Sequence, residues 1–147
     1  IFLFNVRKSI KLIDYAKQLS KKTGLKIYYL QKERIHKVKG VTYLDPVMAN
    51  EFVGLIKNAE YVCTNSFHGT AFSVIFKKKF AVEYQHIGGR NIRSEELLNQ
   101  LGIKNHEITN DFYPNPDEKV DWDNVEKILS VERKKSQNYL EKIKENL

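Results

Sequence analysis

The stretch YVCTNSFHGTAFSVIF, residues 61–76, decides how the rest of the chain is read. Tyr61 to Thr64 is bulky and uncharged, the composition of a strand buried on both faces of a parallel sheet. Asn65 to Gly69 is polar and flexible, and from Thr70 apolar residues recur at helical spacing through Ala71, Phe72, Val74, Ile75 and Phe76. Strand, tight turn and helix form the repeating unit of an open α/β sheet, in which ligands bind at the carboxyl ends of the strands. A helix that starts there aims unpaired backbone N–H groups and the positive end of its dipole into the crevice, which makes a seat for an anion. His68, an imidazole that can titrate near neutral pH, stands beside that seat. A plainer reading of the same residues also stands. In it Ser66 is an N-cap, Gly69 eases close packing and His68 is a hydrogen-bonded structural histidine. Cys63 reads as a small apolar core residue.

At 147 residues, with ordinary apolar content and no biased repeats, the chain fits a single domain with one sizeable core. No apolar run approaches the roughly 20 residues that span a bilayer. The opening IFLFNV is too short, and lacks the flanks, for a signal peptide, and reads as a strand. One cysteine excludes an intramolecular disulfide framework and fits a reducing compartment, so the expected location is the cytoplasm, extending to the inner face of the membrane. The formal charge is +7, carried by twenty lysines and five arginines against 18 acidic residues. The lysines are spread along the chain and interleaved with glutamate, and no helix-turn-helix, RRM, KH or zinc-finger pattern is present, so nucleic acid is not the expected partner. The excess suits an acidic substrate or an anionic membrane surface, the latter by peripheral association.

Ahead of the central stretch, Ile1 to Val6 reads as a buried strand, Ser9 as the N-cap of a helix with Leu12, Ile13, Ala16 and Leu19 on one face, Gly24 as its end, and Leu25 to Leu30 as a second strand. This is a βαβ unit with a right-handed crossover. A start on a core strand with no initiator Met is what part of a longer protein would show. Arg7 and Lys8 stand where the first strand meets its helix, at the crevice edge. Val41 to Leu44 reads as a short strand and Asp45-Pro46 as the entrance to a helix that carries Phe52, Leu55, Ile56 and Ala59 inward, with Glu51 and Glu60 solvated. After the central helix, Lys77 to Lys79 lie at the opposite end of the sheet from the crevice and face water. Phe80 to Val82 is the next buried strand.

The second informative stretch is EYQHIGGRNIR, residues 83–93. It follows a strand, so it lies at the same sheet edge as His68, and Gly88-Gly89 lets the backbone bend sharply. The planar guanidinium suits carboxylate or phosphate, which makes Arg90 and Arg93 better ligand candidates than any lysine. Surface ion pairs to Glu95 or Glu96 are the plain alternative. His86 and Asn91 are weaker candidates, as common turn formers. Ser94 is expected to cap a helix that buries Leu97, Leu98 and Leu101 and ends at Gly102. Residues 103–122 read as irregular. Asp121 or Asp123 starts a last helix, pinned by Trp122, whose apolar stripe of Val125, Ile128, Leu129, Tyr139, Leu140 and Ile143 is expected in the core.

Short buried strands alternating with amphipathic helices give an α/β, Rossmann-like parallel sheet flanked by helices. No G-x-G-x-x-G follows the first strand, no P-loop is present, and no H-E-x-x-H or paired Cys/His spacing argues for zinc.

The run EFVGLIKNAEYVCTNSFHGTAFSVIFKKKFAV, continued by GRNIRSEELLNQLGI, resembles the signature of the polysaccharide pyruvyl transferase family. The likeness rests on a helix ending in LIKNAEYV, the T-N-S-F-H-G-T turn, the FSVIF helix and an R-N-x-R segment before a leucine helix, in one order over about residues 46–103. Lys79 departs from it, standing where many members have proline. Members resemble GT-B glycosyltransferases, with two Rossmann-like domains and a cleft between them. The resemblance therefore implies that residues 1–147 are the C-terminal, donor-side half of a two-domain enzyme. It implies transfer of the enolpyruvyl unit of phosphoenolpyruvate to a sugar hydroxyl pair, making a pyruvate ketal on a cell-wall glycan or exopolysaccharide, with a saccharide or lipid-linked glycan as acceptor and no cofactor or metal. It implies His68 as the general acid, with Asn65, Ser66, Gly69, Thr70, Arg90 and Arg93 around the donor. Two alternatives stay open. One is a GT-B-like sugar-nucleotide glycosyltransferase, for which Glu83 is the nearby carboxylate that would hold ribose hydroxyls. The other is a non-catalytic anion- or glycan-binding module.

Overall fold

A computed structural model of the chain describes residues 1–31, 38–84 and 92–145. Five short strands form one all-parallel sheet in the order β3-β2-β1-β4-β5: β1 (Phe2–Asn5), β2 (Tyr28–Gln31), β3 (Thr42–Tyr43), β4 (Tyr61–Thr64) and β5 (Lys79–Val82). The helices are α1 (Ile10–Thr23), α2 (Ala49–Asn58), α3 (Phe67–Ile75), α4 (Ile92–Gln100) and α5 (Trp122–Glu145). The α/β reading of the sequence holds. β1 is the central strand, pairing Phe2 with Tyr28 on one side and with Val62 on the other. From β1 the chain builds outward through β2 and β3, then returns to lay β4 and β5 on the opposite side. The order of strands therefore reverses between β1 and β4, the topological switch point at which open α/β sheets bind ligands.

Strand alternation sorts the core into two layers. Leu3, Tyr29, Tyr61 and Cys63 pack with Leu12, Ile13, Ala16 and Leu19 of α1. Phe2, Leu30, Val62, Phe80 and Val82 pack on the other face with Ile56 of α2, Val74 of α3, Leu98 of α4 and Val125 of α5. Cys63 is fully buried, and burial pushes its thiol up to about 12. The caps follow the sequence: Ser9 accepts from the Leu12 N–H, Gly24 closes α1 at φ 74°, and Asp121 accepts from the Asn124 N–H at the start of α5. A parallel bridge between Val82 and Glu107 adds an edge beside β5.

Three readings are corrected. Ser94 does not cap α4, which begins two residues earlier; Ser94 is buried inside its first turn. The apolar stripe of α5 enters the core only as far as Leu129. Tyr139, Leu140 and Ile143 are 66, 57 and 41% exposed, because α5 runs past the sheet it packs on. At the amino end of the strands Lys79 is exposed but not simply solvated. Its ammonium lies 3.1 Å from Asp117 and 3.6 Å from Glu60 and over the Tyr61 ring, tying the 115–118 segment to β4 and β5.

Gly69 has a steric reason. A Cβ there would lie 2.6 Å from Thr64 Oγ1 and 2.9 Å from Thr64 Cγ2, whereas a Cβ on Gly54 in α2 would meet nothing within 4 Å. Gly69→Ala is expected to lower stability by about 1–3 kcal/mol through overpacking, and Gly54→Ala to raise it by about 0.5–1 kcal/mol through helix propensity. Urea denaturation of the two variants checks the opposite signs. His106, buried against Phe80 with no partner on either ring nitrogen among the described residues, has its pKa lowered by desolvation. The unfolded chain takes up this proton near pH 6.5 while the folded chain does not. Stability therefore falls as pH drops from about 6.5 toward the lower folded value, and a pH series of urea midpoints should show that slope reduced in His106→Phe.

Candidate active site

The site is built on the last residues of β1 and β4 and the first turns of α1 and α3. Thr64 closes β4 by donating its hydroxyl to the Phe4 carbonyl at 2.8 Å while accepting from the Ser66 N–H at 3.0 Å. Asn65 follows, 3% exposed, with its amide fully engaged across the switch point. Its Oδ1 accepts from the Val6 N–H at 2.9 Å and its Nδ2 donates to the Arg7 carbonyl at 2.8 Å. The segment after β1 is thereby stapled to the turn after β4, and Arg7 is held at the crevice with its backbone fixed.

Ser66 is the N-cap of α3. Its hydroxyl oxygen faces the Gly69 N–H at 3.4 Å and its carbonyl accepts from the Thr70 N–H at 2.9 Å. The Thr70 hydroxyl also donates to the Ser66 carbonyl, and Thr70 is fully buried. The free donors at this helix start are thus the N–H groups of Phe67 and His68, which make no hydrogen bond among the described residues. No acidic residue lies in the first turn of α3 or of α1, so neither dipole is neutralised from within.

His68 points to solvent, with its ring edge-on to Phe67 at 5.8 Å. The Arg93 guanidinium lies over the Phe67 ring, 4.8 Å from its centre. Arg93 and His68 therefore share Phe67 as a common platform, within the cation–π range. Beside His68 a cavity of about 380 Å³ is lined by Phe4, Val6, Ala49, Phe52, Val53, Ser66 and Phe72. A larger groove of about 660 Å³ lies toward the amino ends of β1 and β2, along α2, with an apolar floor of Phe2, Leu44, Val47 and Leu55. It lies away from the imidazole, the free helix amides and the two arginines, so the smaller cavity is the one with chemistry at its mouth.

Of the residues singled out in the sequence, the structure brings Asn65, Ser66, His68, Gly69, Thr70, Arg7 and Arg93 to one edge of the sheet. Arg90, His86 and Asn91 lie outside the described residues. Glu83 is at the same edge, its side chain 12% exposed, with one oxygen 3.9 Å from the Lys11 ammonium and the other buried without a partner among the described residues. A carboxylate so enclosed faces Lys11 rather than presenting itself to ribose hydroxyls. The sequence reading missed Phe67 as a platform and Phe4, Phe52 and Phe72 as cavity wall. Phe52 reads as an inward residue of its helix and Phe72 as part of an apolar helical repeat, and helical spacing cannot distinguish a core phenylalanine from one that lines a cavity.

The fold and site define a doubly wound α/β domain whose crevice, at the switch point, combines free helix amides, an exposed imidazole and a guanidinium. A family model for polysaccharide pyruvyl transferase matches residues 4–86, more than half of the chain, from within β1 to just past the end of β5. The chain belongs to the polysaccharide pyruvyl transferase family, a family of transferases. No curated protein matches it.

Asn65→Leu, which removes both staple bonds, is expected to cost about 1–3 kcal/mol by leaving the Val6 N–H and Arg7 carbonyl without these partners. Hydrogen exchange should show the Val6 amide losing protection in Asn65→Leu and keeping more of it in Asn65→Asp, whose carboxylate still accepts from that N–H.

Proposed function

We propose that the chain carries the donor site of an enzyme that transfers the enolpyruvyl unit of phosphoenolpyruvate to a pair of sugar hydroxyls, forming a pyruvate ketal on a cell-surface glycan. The acceptor is a saccharide or lipid-linked glycan, contributed with its own binding surface by an N-terminal, acceptor-side domain. A lipid-linked acceptor would place the reaction at the inner face of the membrane, where the lysine-rich surface suits anionic lipid. Among the described residues no helix is long and apolar enough to cross it.

The observation that carries this reading is the family match across the switch point that holds His68, solvent-facing on the first turn of α3. The donor is a dianion or trianion with a carboxylate and a phosphate. The free N–H groups of Phe67 and His68, the positive end of α3, Arg93 and Arg90 supply complementary charge. Protonated His68 gives its proton to the methylene carbon, whose π electrons form the new C–H bond. A sugar hydroxyl oxygen bonds to the neighbouring carbon and loses its proton. The carbon–oxygen bond to phosphate then breaks, the phosphate leaves with the electron pair, and the second hydroxyl takes its place and loses its own proton. One proton has entered the new methyl group and the other leaves with inorganic phosphate. In this role Asn65, Ser66, Gly69 and Thr70 shape the turn that sets the imidazole, and the reaction as written consumes no cofactor.

His68→Asn in the full-length protein is expected to lower kcat by about 10² to 10⁴-fold, the usual contribution of a general acid, with the affinity for phosphoenolpyruvate changed far less. Phosphate release and thermal shift with phosphoenolpyruvate, against pyruvate and UDP-sugar controls, separate the two effects. Full turnover by the variant would sink the assignment of His68. A shift produced by the UDP-sugar alone would favour a glycosyltransferase.

A further inference from the structure

The wall beside His68 is built from carbon. Phe4 at the end of β1 meets Phe52 of α2 edge-on at 4.8 Å, and Phe52 meets Phe72 of α3 in the same way at 6.4 Å. Val53 continues this wall and Val6 and Ala49 form an exposed lip, the whole enclosing about 380 Å³. The polar side chains in the lining are Ser66, whose oxygen is turned to the Gly69 N–H, and His68. A carboxylate or phosphate placed against Phe4, Phe52, Val53 and Phe72 would give up water there and find no hydrogen-bond donor on that wall, His68 being the one titratable group of the lining. The other donors of hydrogen bonds and positive charge lie outside it, at the Phe67 and His68 amides and at Arg93. The crevice is therefore polarised, with anion-binding groups on one side of the imidazole and hydrocarbon on the other.

We propose that the trough is the subsite for the carbon end of the donor, so that the methylene carbon rests against Phe52 and Phe72 while the carboxylate and phosphate face the amides and guanidinium. This rests on the reading of the chain as a phosphoenolpyruvate transferase. The enolpyruvyl group has the same polarity as the crevice, two anionic substituents on one carbon and a bare methylene on the other. The chemistry also needs such a wall. Proton transfer to carbon competes with proton transfer to any water lying between the imidazole and the double bond, and a surface without hydrogen-bonding partners does not hold such a water. The trough is also larger than a methylene fills. It therefore admits a substituent on that carbon, and Ala49 and Val53 set how large the substituent can be. A donor with a methyl group there, 2-(phosphonooxy)but-2-enoate, would react by the same sequence of bonds, the proton entering the substituted carbon to leave an ethyl group in the ketal and phosphate departing as before.

The test compares phosphoenolpyruvate and 2-(phosphonooxy)but-2-enoate as donors for the full-length enzyme, following phosphate release, in wild type, Ala49→Leu and Val53→Phe. Wild type is expected to use the methylated donor with kcat/KM within about tenfold of phosphoenolpyruvate, and each variant to raise the ratio between the two donors by about tenfold or more, the range in which hydrophobic pockets discriminate single carbons. Ala49 is at the exposed lip, so its variant keeps the test open should Val53→Phe fold poorly, and thermal unfolding of each variant monitors this. Rejection of the methylated donor by a wild-type enzyme that turns over phosphoenolpyruvate would overturn the subsite while leaving the proposed activity in place. An unchanged donor ratio with a raised KM for the acceptor would assign the trough to the acceptor instead. Failure of phosphoenolpyruvate itself would remove the activity and the subsite together.

Discussion

Two adjacent side chains at the end of β4 set the geometry on which the site depends. Thr64 ties its own strand to β1 through the Phe4 carbonyl and fixes the first N–H of the following turn. Asn65 then spends both halves of its amide on the backbone after β1. Three of these four hydrogen bonds join residues about sixty apart in sequence, so they can form only once β1 and β4 are paired. The consequence is cooperative: sheet pairing, turn shape and the direction of α3 are settled together, and the His68 side chain inherits its position from all three. The contact of Gly69 with Thr64 belongs to the same arrangement, since α3 can start this close to the strand end only where no Cβ intervenes.

The polarity of the domain follows from which end of the strands is considered. At the amino ends Lys79 meets Asp117 and Glu60, and Asp117 is held below the usual carboxylate range by the hydrogen bond from Lys79 and then that from the Tyr61 hydroxyl. Such exposed pairs add little stability singly, but together they tie the 115–118 segment to the strands. At the carboxyl ends the balance is different. Two helices begin without acidic residues in their first turns, and Arg7, Lys11 and Arg93 are all on that side, with Glu83 enclosed against Lys11. Positive groups thus gather around the cavity beside His68.

Much of this was legible in the sequence, and unevenly so. The strand, turn and helix of residues 61–76 could be read because burial on two faces, a polar break and a helical period follow one another with no ambiguity of order. The position of Gly24 past α1 and of Asp121 before α5 was legible for the same local reason, since caps are decided by near neighbours. Ser94 misled because a capping residue and a serine buried in a first turn look alike until the preceding backbone is known. Tyr139, Leu140 and Ile143 misled because periodicity states which face of a helix is apolar, not whether a sheet lies beneath it. The division of labour around His68 was hidden for a third reason. Phe67, Phe52 and Phe72 come from different helices, and only the packed fold shows that one supports a guanidinium while the others line a cavity.

Cys63 gives the domain a property that its chemistry would not suggest. It is the single thiol of the chain, in the middle of β4, fully enclosed and kept in the unreactive protonated form. A thiol reagent or oxidant in the surrounding solution can reach it only when β4 separates from its neighbours. Its reaction rate is therefore a clock for the opening of the sheet, readable by mass without any label or substitution. The strand it times is the one whose far end carries Thr64 and Asn65, so the molecule contains its own indicator of whether the site is assembled.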